Sequence, residues 1–211
     1  TERSIFIDSA DKNLLCTIYQ FKDVTATEAT ALDDGTALCA GRSKMGNSTV
    51  NNKLTMGSGN YTDVFGGKTE GTGTPATDQN QSRDNSVTVT GGTITNALYG
   101  GYTSIGTGSA IRNTVTITGG NVHGVYGGFV APGTGETTHN TVNLGDGKNV
   151  MAAGYSLGRI YGGSHAADVT GNTLNVKAHV GADNILHFDK IKFYKNDSIN
   201  AATPLLKLTD S

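Results

Sequence analysis

Asn113-Thr-Val-Thr-Ile-Thr-Gly-Gly120 decides the fold of this chain, because variants of the same phrase return along the sequence. The nearest variant is Asn85-Ser-Val-Thr-Val-Thr-Gly-Gly92. Looser variants are Asn52-Lys-Leu-Thr-Met-Gly-Ser-Gly59, Asn140-Thr-Val-Asn-Leu-Gly-Asp-Gly147 and Asn172-Thr-Leu-Asn-Val-Lys177. The leading asparagines are spaced by 33, 28, 27 and 32 residues. A recurring period of this size is typical of stacked repeat architectures.

A second phrase, an apolar residue followed by an aromatic one and two glycines, accompanies most copies of the first. Its copies are Val64-Phe-Gly-Gly67, Leu98-Tyr-Gly-Gly101, Val125-Tyr-Gly-Gly128 and Ile160-Tyr-Gly-Gly163, with Leu38-Cys-Ala-Gly41 as a degenerate first copy. Together the phrases define coils of about 27 residues that accept insertions. The longest insertions are Lys68–Asp84 and one within Asp146–Arg159, and we expect both to form loops outside the stack.

Each unit reads as strand, turn, strand and loop. In Val115-Thr-Ile-Thr118 apolar residues alternate with threonines, which is the period of a half-buried strand. The equivalent apolar positions should form one inward column, made by Val87, Val115, Val142 and Leu174. The threonines at 88, 90, 116 and 118 should face outward, where β-branched side chains suit a pleated surface.

These patterns predict an all-β chain folded as a single-domain parallel β-helix, or β-solenoid, with a right-handed course. Residues 1–51 should form less regular N-terminal coils, 52–177 the repeat solenoid, and 178–211 strands that continue it. Since a solenoid grows in one direction, we expect one elongated, monomeric domain.

The recurring asparagines allow two interpretations. Their amides could form a buried ladder in which each side chain bonds to the next coil. Alternatively, each asparagine simply favours the turn that enters a strand. Asn80 is not part of this series, and because it lies inside an insertion we expect Asn80→Ala to be nearly neutral.

The aromatic residue of the second phrase also allows two interpretations. If the strand alternates there, one member of each apolar–aromatic pair faces inward, and aromatics on adjacent coils stack. The alternative is a platform for carbohydrate. The two cysteines, Cys16 and Cys39, could form a disulfide between neighbouring coils or be two small buried hydrophobes.

Composition agrees with a repeat protein and excludes some functions. Glycine occurs 30 times and charged residues make up 16%, against about 25% in ordinary domains. The net charge of −2 and the lack of Lys/Arg clusters argue against a nucleic-acid partner. No apolar run is long enough for a membrane span. The chain begins at Thr1, so we expect a fragment or a processed product.

No residues suggest a catalytic centre, a cofactor site or a metal site. The acidic residues fall in separate turns or insertions, at Asp63, Asp84, Glu136, Asp146, Asp168 and Asp183. The histidines occupy no common repeat position, at His123, His139, His165, His179 and His187. Rows of Thr-x-Thr would suit an ice-binding face, but that pattern lapses after two units.

The units Asn85–Gly101 and Asn113–Gly128 resemble the repeats of large bacterial surface proteins, especially the passenger regions of autotransporter adhesins. The stretch Asn184–Tyr194 and Pro204-Leu-Leu-Lys-Leu208 resemble segments that continue the β-helix in such passengers. The resemblance covers about residues 37–208. It implies a parallel β-helix carried outside the cell as an adhesin or scaffold. Some cell-wall and S-layer-linked proteins carry similar repeats.

The expected function is therefore a non-enzymatic, extracellular or cell-surface adhesin or scaffold segment. Its partner would be a host-cell protein, a glycan or another bacterial cell, and we expect the insertions to carry binding because loops on rigid scaffolds often do. The alternative is a polysaccharide-processing β-helix enzyme, which would need clustered carboxylates along one groove.

Overall fold

A computed structural model describes residues 24–25, 37–43, 48–71, 80–131, 133–147, 156–166, 169–195 and 202–209. This described part holds β-strands and no helix, and its strand pairs are parallel. Strands from successive repeats pair with one another, so each sheet grows by one strand per coil. The predicted all-β parallel β-helix is confirmed.

The strands form three sheets. Sheet 1 follows the order β1 (Val24–Thr25), β5 (Lys53–Met56), β8 (Ser86–Val89), β11 (Thr114–Ile117), β13 (Thr141–Leu144), β15 (Thr173–Val176) and β17 (Lys190–Phe193). Sheet 2 contains β2 (Ala37–Cys39), β6 (Asn60–Thr69), β9 (Thr93–Thr103), β12 (Asn121–Val130), β14 (Ser156–Tyr161), β16 (Val180–Leu186) and β18 (Leu206–Leu208), with β3 (Arg42–Ser43) beside β6. Sheet 3 contains β4 (Thr49–Val50), β7 (Gln81–Arg83) and β10 (Ser109–Ile111).

Sheet 3 corrects the expectation that Lys68–Asp84 lies wholly outside the stack. Within that insertion, Thr69 ends β6 and is fully buried, and β7 pairs with β4 and β10. Ser82, at the centre of β7, is also fully buried. A coil here therefore has three strands rather than the two that the repeat phrases predict.

The inward column of sheet 1 is confirmed in register and in burial. Val115 pairs with Val87 on one side and Val142 on the other, and Val142 pairs with Leu174. These four side chains are at most 1% exposed and belong to one hydrophobic core. The alternate residues, such as Thr116, remain partly exposed, as expected for the outer face.

Sheet 2 supplies the opposite side of the core. Its inward residues are the apolar members of the second phrase, and all are fully buried: Leu38, Val64, Leu98, Val125 and Ile160. Leu38 pairs with Val64, so the degenerate first copy stands in the predicted register. Because neighbouring residues of a strand face opposite ways, the aromatic member of each pair lies outside the tube.

The recurring asparagines form a buried ladder, which confirms the first of the two interpretations. Each Nδ2 donates to the Oδ1 of the asparagine one coil further on. The Nδ2–Oδ1 distances are 2.8 Å for Asn52–Asn85, 3.1 Å for Asn85–Asn113, 3.2 Å for Asn113–Asn140 and 3.3 Å for Asn140–Asn172. The backbone N–H of each donor residue bonds to the same Oδ1. All five side chains are at most 2% exposed.

Four of the five ladder amides, those of Asn85, Asn113, Asn140 and Asn172, also bond to the backbone of sheet 3 or its equivalent. Asn113 Nδ2 donates to the Ser82 carbonyl at 2.8 Å, and Asn140 Nδ2 donates to the Ala110 carbonyl at 3.0 Å. The accepting residue stands three positions before the asparagine of the preceding coil. The ladder therefore joins coil to coil and also fixes the corner between sheets 3 and 1.

The glycine pair of the second phrase makes room for this ladder. A Cβ at Gly101 would lie in contact with the Asn113 side-chain amide, and a Cβ at Gly100 would meet the Gly127 carbonyl of the next coil. The first contact is repeated between Gly67 and Asn85. Each glycine pair thus allows the backbone of sheet 2 to approach the asparagine column across the tube.

The residue before each ladder asparagine adopts the left-handed conformation. Their φ angles are 57° for Asn51, 58° for Asp84, 55° for Arg112, 59° for His139 and 69° for Gly171. This single conformation turns the chain from sheet 3 into sheet 1. Because only one of the five is glycine, sequence composition gives little sign of the corner.

Asn80 also differs from its expected setting. It is 1% exposed, has a φ of 67°, and its Nδ2 is buried without a hydrogen-bond partner. Asn80 therefore does not lie in an outer loop, because the end of the insertion already forms part of the wall, and the nearly neutral effect of Asn80→Ala stays a prediction.

Candidate functional site

The outer face of sheet 2 carries an aromatic cluster, which contains Phe65, Tyr99, Tyr102, Tyr126, Phe129 and Tyr161. Parallel register places one ring per coil in a first column that runs from Phe65 to Tyr161. Tyr102 and Phe129 form a second column, three residues further along their strands. The cluster is separate from the core inside the tube.

The rings within each column are stacked face to face. In the first column the centroids are 4.9 Å apart for Phe65–Tyr99, 5.3 Å for Tyr99–Tyr126 and 4.6 Å for Tyr126–Tyr161. Rings of different columns meet edge to face, as for Tyr126 and Phe129 at 5.1 Å and 84°. Both geometries are favourable for aromatic pairs. The predicted stacking of these residues on adjacent coils is confirmed.

This stacking limits how the cluster can contact a ligand. The faces of Tyr99 and Tyr126 are covered by neighbouring rings, so they offer no open platform for a sugar ring. What remains accessible is the ring edge and the hydroxyl. Within the described residues, the hydroxyls of Tyr99, Tyr126 and Tyr161 make no hydrogen bond, and they therefore form a row of available polar groups.

Burial favours the protonated form of the Tyr99 and Tyr126 hydroxyls, because it raises the pKa of both. It raises the pKa of Tyr99 well above its ordinary value, and the Asp63 charge adds to the effect. Burial also raises the pKa of Tyr126, the neighbouring Tyr161 contributes in the same direction, and the positive charge of Arg159 opposes both. Near neutral pH the Tyr99 and Tyr126 hydroxyls are therefore neutral, and each can donate and accept hydrogen bonds.

An ion cluster closes one end of the aromatic face. Glu70 accepts from Arg42 Nε at 2.6 Å and pairs with Lys68 Nζ at 3.0 Å. Lys68 Nζ also lies 4.7 Å from the Phe65 ring centroid. Burial alone would raise the pKa of Glu70, but the hydrogen bonds from Arg42 and Lys68 outweigh it and lower the pKa. These cations are thus occupied by a protein carboxylate.

A cavity of about 430 Å³ opens beside the first aromatic column, at its other end. Its polar lining residues are Asn96, Tyr99, His123, Tyr126, Arg159, Tyr161 and Asp183. The volume falls within the range of about 300–1,000 Å³ that small-molecule sites occupy. We call this space the tyrosine-edge cavity.

Two features of sheet 2 distinguish the wall of the tyrosine-edge cavity. Ala97, Gly124 and Arg159 occupy equivalent positions on three successive coils, and of the three only Arg159 has a long side chain. In addition, strand β9 has one residue more than its neighbours between Ile94 and Ala97, which is a β-bulge. The bulge brings Asn96 to the exposed surface, where its Nδ2 donates to Asp63 Oδ1 at 2.8 Å.

Arg159 is the notable charged residue of the cavity. Its side chain is exposed, and no hydrogen bond or ion pair joins it to another described residue. His123 is likewise exposed and makes no side-chain hydrogen bond within the described ranges. Asp183 accepts from the Thr209 hydroxyl at 3.0 Å. The cavity therefore presents Arg159, which forms no ion pair with a described residue, one carboxylate, from Asp183, and several groups that can form hydrogen bonds.

The acidic residues singled out in the sequence do not form one cluster. Asp63 bonds to Asn96, whereas Asp84 pairs with Arg112 Nε at 2.8 Å on another corner of the coil. Hydrogen bonds from Arg112 lower the pKa of Asp84, although partial burial opposes them. Only Asp183 among the described acidic residues lines the cavity. Asp168 lies outside the described residues.

The histidines are likewise dispersed. His123 lines the cavity, His187 Nδ1 lies 2.7 Å from the Gly163 carbonyl, and His179 Nδ1 lies 3.0 Å from the Pro204 carbonyl. Within the described ranges, no group of three His, Cys, Asp or Glu side chains is placed to hold a metal ion.

Some sequence-based expectations concern residues that the structure does not describe. Residues 72–79 and 148–155, the centres of the two long insertions, lie outside the described part. Cys16 does too, so the two alternatives for Cys16 and Cys39, a disulfide or two small buried hydrophobes, both stay predictions. Cys39 itself is buried beside Phe65 in the aromatic cluster.

No helix among the described residues has the length and apolar character that a membrane span requires. No protein-family model matches this sequence, and comparisons with curated proteins and with solved structures found no significant match. The resemblance to autotransporter passengers therefore rests on the repeat phrases of the sequence.

Proposed function

We propose that this chain is a non-enzymatic adhesin or scaffold segment of a bacterial surface protein. The observation that carries the proposal is the unbroken stack of inward residues from Leu54 to Leu174. Hydrogen bonds of the asparagine ladder join the coils of this stack. Such a stack holds outward side chains at fixed spacing along an extended wall, which is how solenoids present binding surfaces. Extracellular placement rests on the resemblance to passenger repeats.

The cavity chemistry favours binding over hydrolysis. Most glycosidases place two carboxyl groups on either side of the scissile bond, about 5–10 Å apart. Among the described residues that line the tyrosine-edge cavity, Asp183 supplies the one carboxylate. The neutral tyrosine hydroxyls and the unpaired Arg159 are groups that hold a polar ligand in place.

The test compares binding with turnover in the same samples. Purified protein is incubated with plant, algal and bacterial polysaccharides, and the soluble fraction is analysed for oligosaccharides by mass spectrometry. In parallel, beads coated with the protein are scored for adhesion to glycan-coated surfaces and to cells. We expect adhesion above that of beads coated with the unfolded protein, and no oligosaccharide release. Steady product release that Asp183→Asn abolishes would replace the scaffold proposal with the enzyme alternative.

A further inference from the structure

The polar lining of the tyrosine-edge cavity indicates the chemistry of its ligand. The row of hydroxyls from Tyr99, Tyr126 and Tyr161 suits a partner with many hydroxyl groups, because each can donate to or accept from one of them. The amide of Asn96 adds another donor and acceptor at the rim. Since the aromatic faces are covered, recognition must come from edges and polar groups rather than from ring stacking.

The charge of the cavity adds a second requirement. Arg159 stands exposed at the row position next to Gly124 and has no carboxylate partner in the described part of the chain. By contrast, Arg42 and Arg112 on other parts of the wall are both paired with acidic residues. A planar guanidinium binds a carboxylate through two parallel hydrogen bonds, which gives geometric specificity as well as affinity. A ligand carboxylate would supply the partner that the protein does not.

We propose that the tyrosine-edge cavity binds a carboxylate-bearing sugar residue of a glycan, with Arg159 on the carboxylate and the tyrosine hydroxyls, Asn96 and Asp183 on the sugar hydroxyls. This inference rests on the proposed function, because it names the ligand class of an adhesin. Uronic acids and sialic acids share the required chemistry. The cavity volume of about 430 Å³ lies within the range of small-molecule sites.

The experiment measures binding of three soluble probes by isothermal titration calorimetry: trigalacturonic acid, 3′-sialyllactose and neutral maltotriose. We expect one acidic probe to bind at least tenfold more tightly than maltotriose. Arg159→Gln should weaken that binding at least tenfold, and raising the salt concentration should weaken it as well. The matched control is Lys192→Gln, which removes an exposed cation from sheet 1 and should leave binding unchanged.

Three results would overturn the inference: no binding of either acidic probe, equal binding of maltotriose, or equal losses in Arg159→Gln and Lys192→Gln. Since both substitutions are at exposed positions, unchanged melting temperatures will show that any loss of binding is local. If neither acidic probe binds, the proposed scaffold role is unaffected. Cleavage of a probe, seen as smaller fragments, would instead overturn the proposed function.

Discussion

At the scale of single residues, the ladder asparagines determine how one coil is joined to the next. Asn113 donates from Nδ2 to Asn140 Oδ1 and to the Ser82 carbonyl, and it accepts at Oδ1 from the amide and backbone N–H of Asn85. Its side chain is fully buried. Loss of the amide would leave buried donors and acceptors on both neighbouring coils without a partner, and that desolvation cost exceeds the net gain of a typical hydrogen bond.

Asn113→Ala should therefore lower the free energy of unfolding, measured by urea denaturation, by about 1–3 kcal/mol. Asn121→Ala is the matched control, because Asn121 is exposed and its side chain makes no hydrogen bond in the described part. It should stay within about 0.5 kcal/mol of the wild type. Equal losses in the two variants would show that the ladder contributes nothing beyond the general cost of replacing asparagine.

The stacked tyrosines predict a pH dependence. Burial raises the pKa of Tyr99 in the folded protein above the value near 10 that an unfolded tyrosine has. The contribution of this residue to stability is thus fully present below about pH 10 and is lost as the pH rises above that value. Ultraviolet absorbance of tyrosinate should show a late-titrating component in the folded protein that is smaller in Tyr99→Phe. The same late component in both proteins would contradict the assignment of the raised pKa to Tyr99.

At the scale of the structural element, the Gly-Gly phrase of sheet 2 is as important as its apolar residues. The second glycine faces the asparagine column, and an added Cβ would lie inside the van der Waals contact distance of the Asn113 amide. The ladder and the strand thus share one narrow space in the tube. Overpacking in such a space costs about 1–3 kcal/mol.

Gly101→Ala should accordingly destabilise the protein by about 1–3 kcal/mol in urea denaturation. Gly57→Ala provides the control, because a Cβ at Gly57 would meet nothing closer than the Thr90 hydroxyl at 3.6 Å. This variant should be nearly neutral. If Gly101→Ala proves as stable as Gly57→Ala, the close approach of strand and ladder is not a constraint on the sequence.

The repeat phrases predicted sheets 1 and 2 because apolar residues alternate with other residues in both phrases, which is the period of a strand. In β11 the alternation of Val115 and Ile117 with threonines reports burial directly. Sheet 3 was not predicted. Its strands have only two or three residues, and their buried positions hold small side chains such as Ser82 and Ala110, so they show no alternation of large apolar residues. The one local signal was a small residue three positions before the asparagine.

The candidate site was not predictable from local patterns. It depends on a β-bulge in β9 and on the register that sets Gly124 between Ala97 and Arg159. These residues come from different repeats at positions where the phrases differ, so they show no common motif. The stacking of the aromatic residues was predicted, whereas the polar cavity formed at their edge requires the three-dimensional register.

At the scale of the whole molecule, one continuous hydrophobic core runs through the stack from Leu38 to Ala182. Each coil contributes its inward residues to the same columns and contacts mainly its neighbours, so stability is distributed along the stack. The proposed binding site lies on the outer wall, where one coil has Gly124 and the next has Arg159. The hand of the helix stays a prediction.

The most direct test of this architecture compares two adjacent positions of β11. Val115 is fully buried and faces the core, whereas Thr116 is partly exposed on the outer wall. Val115→Asp puts an unpaired charge into the tube, and urea denaturation should show either a loss of more than about 4 kcal/mol or an unfolded chain. Thr116→Asp should fold and lose less than about 1 kcal/mol, since it changes only an outer strand position. Similar stability of the two variants, or a greater loss in Thr116→Asp, would contradict the stacked-coil structure.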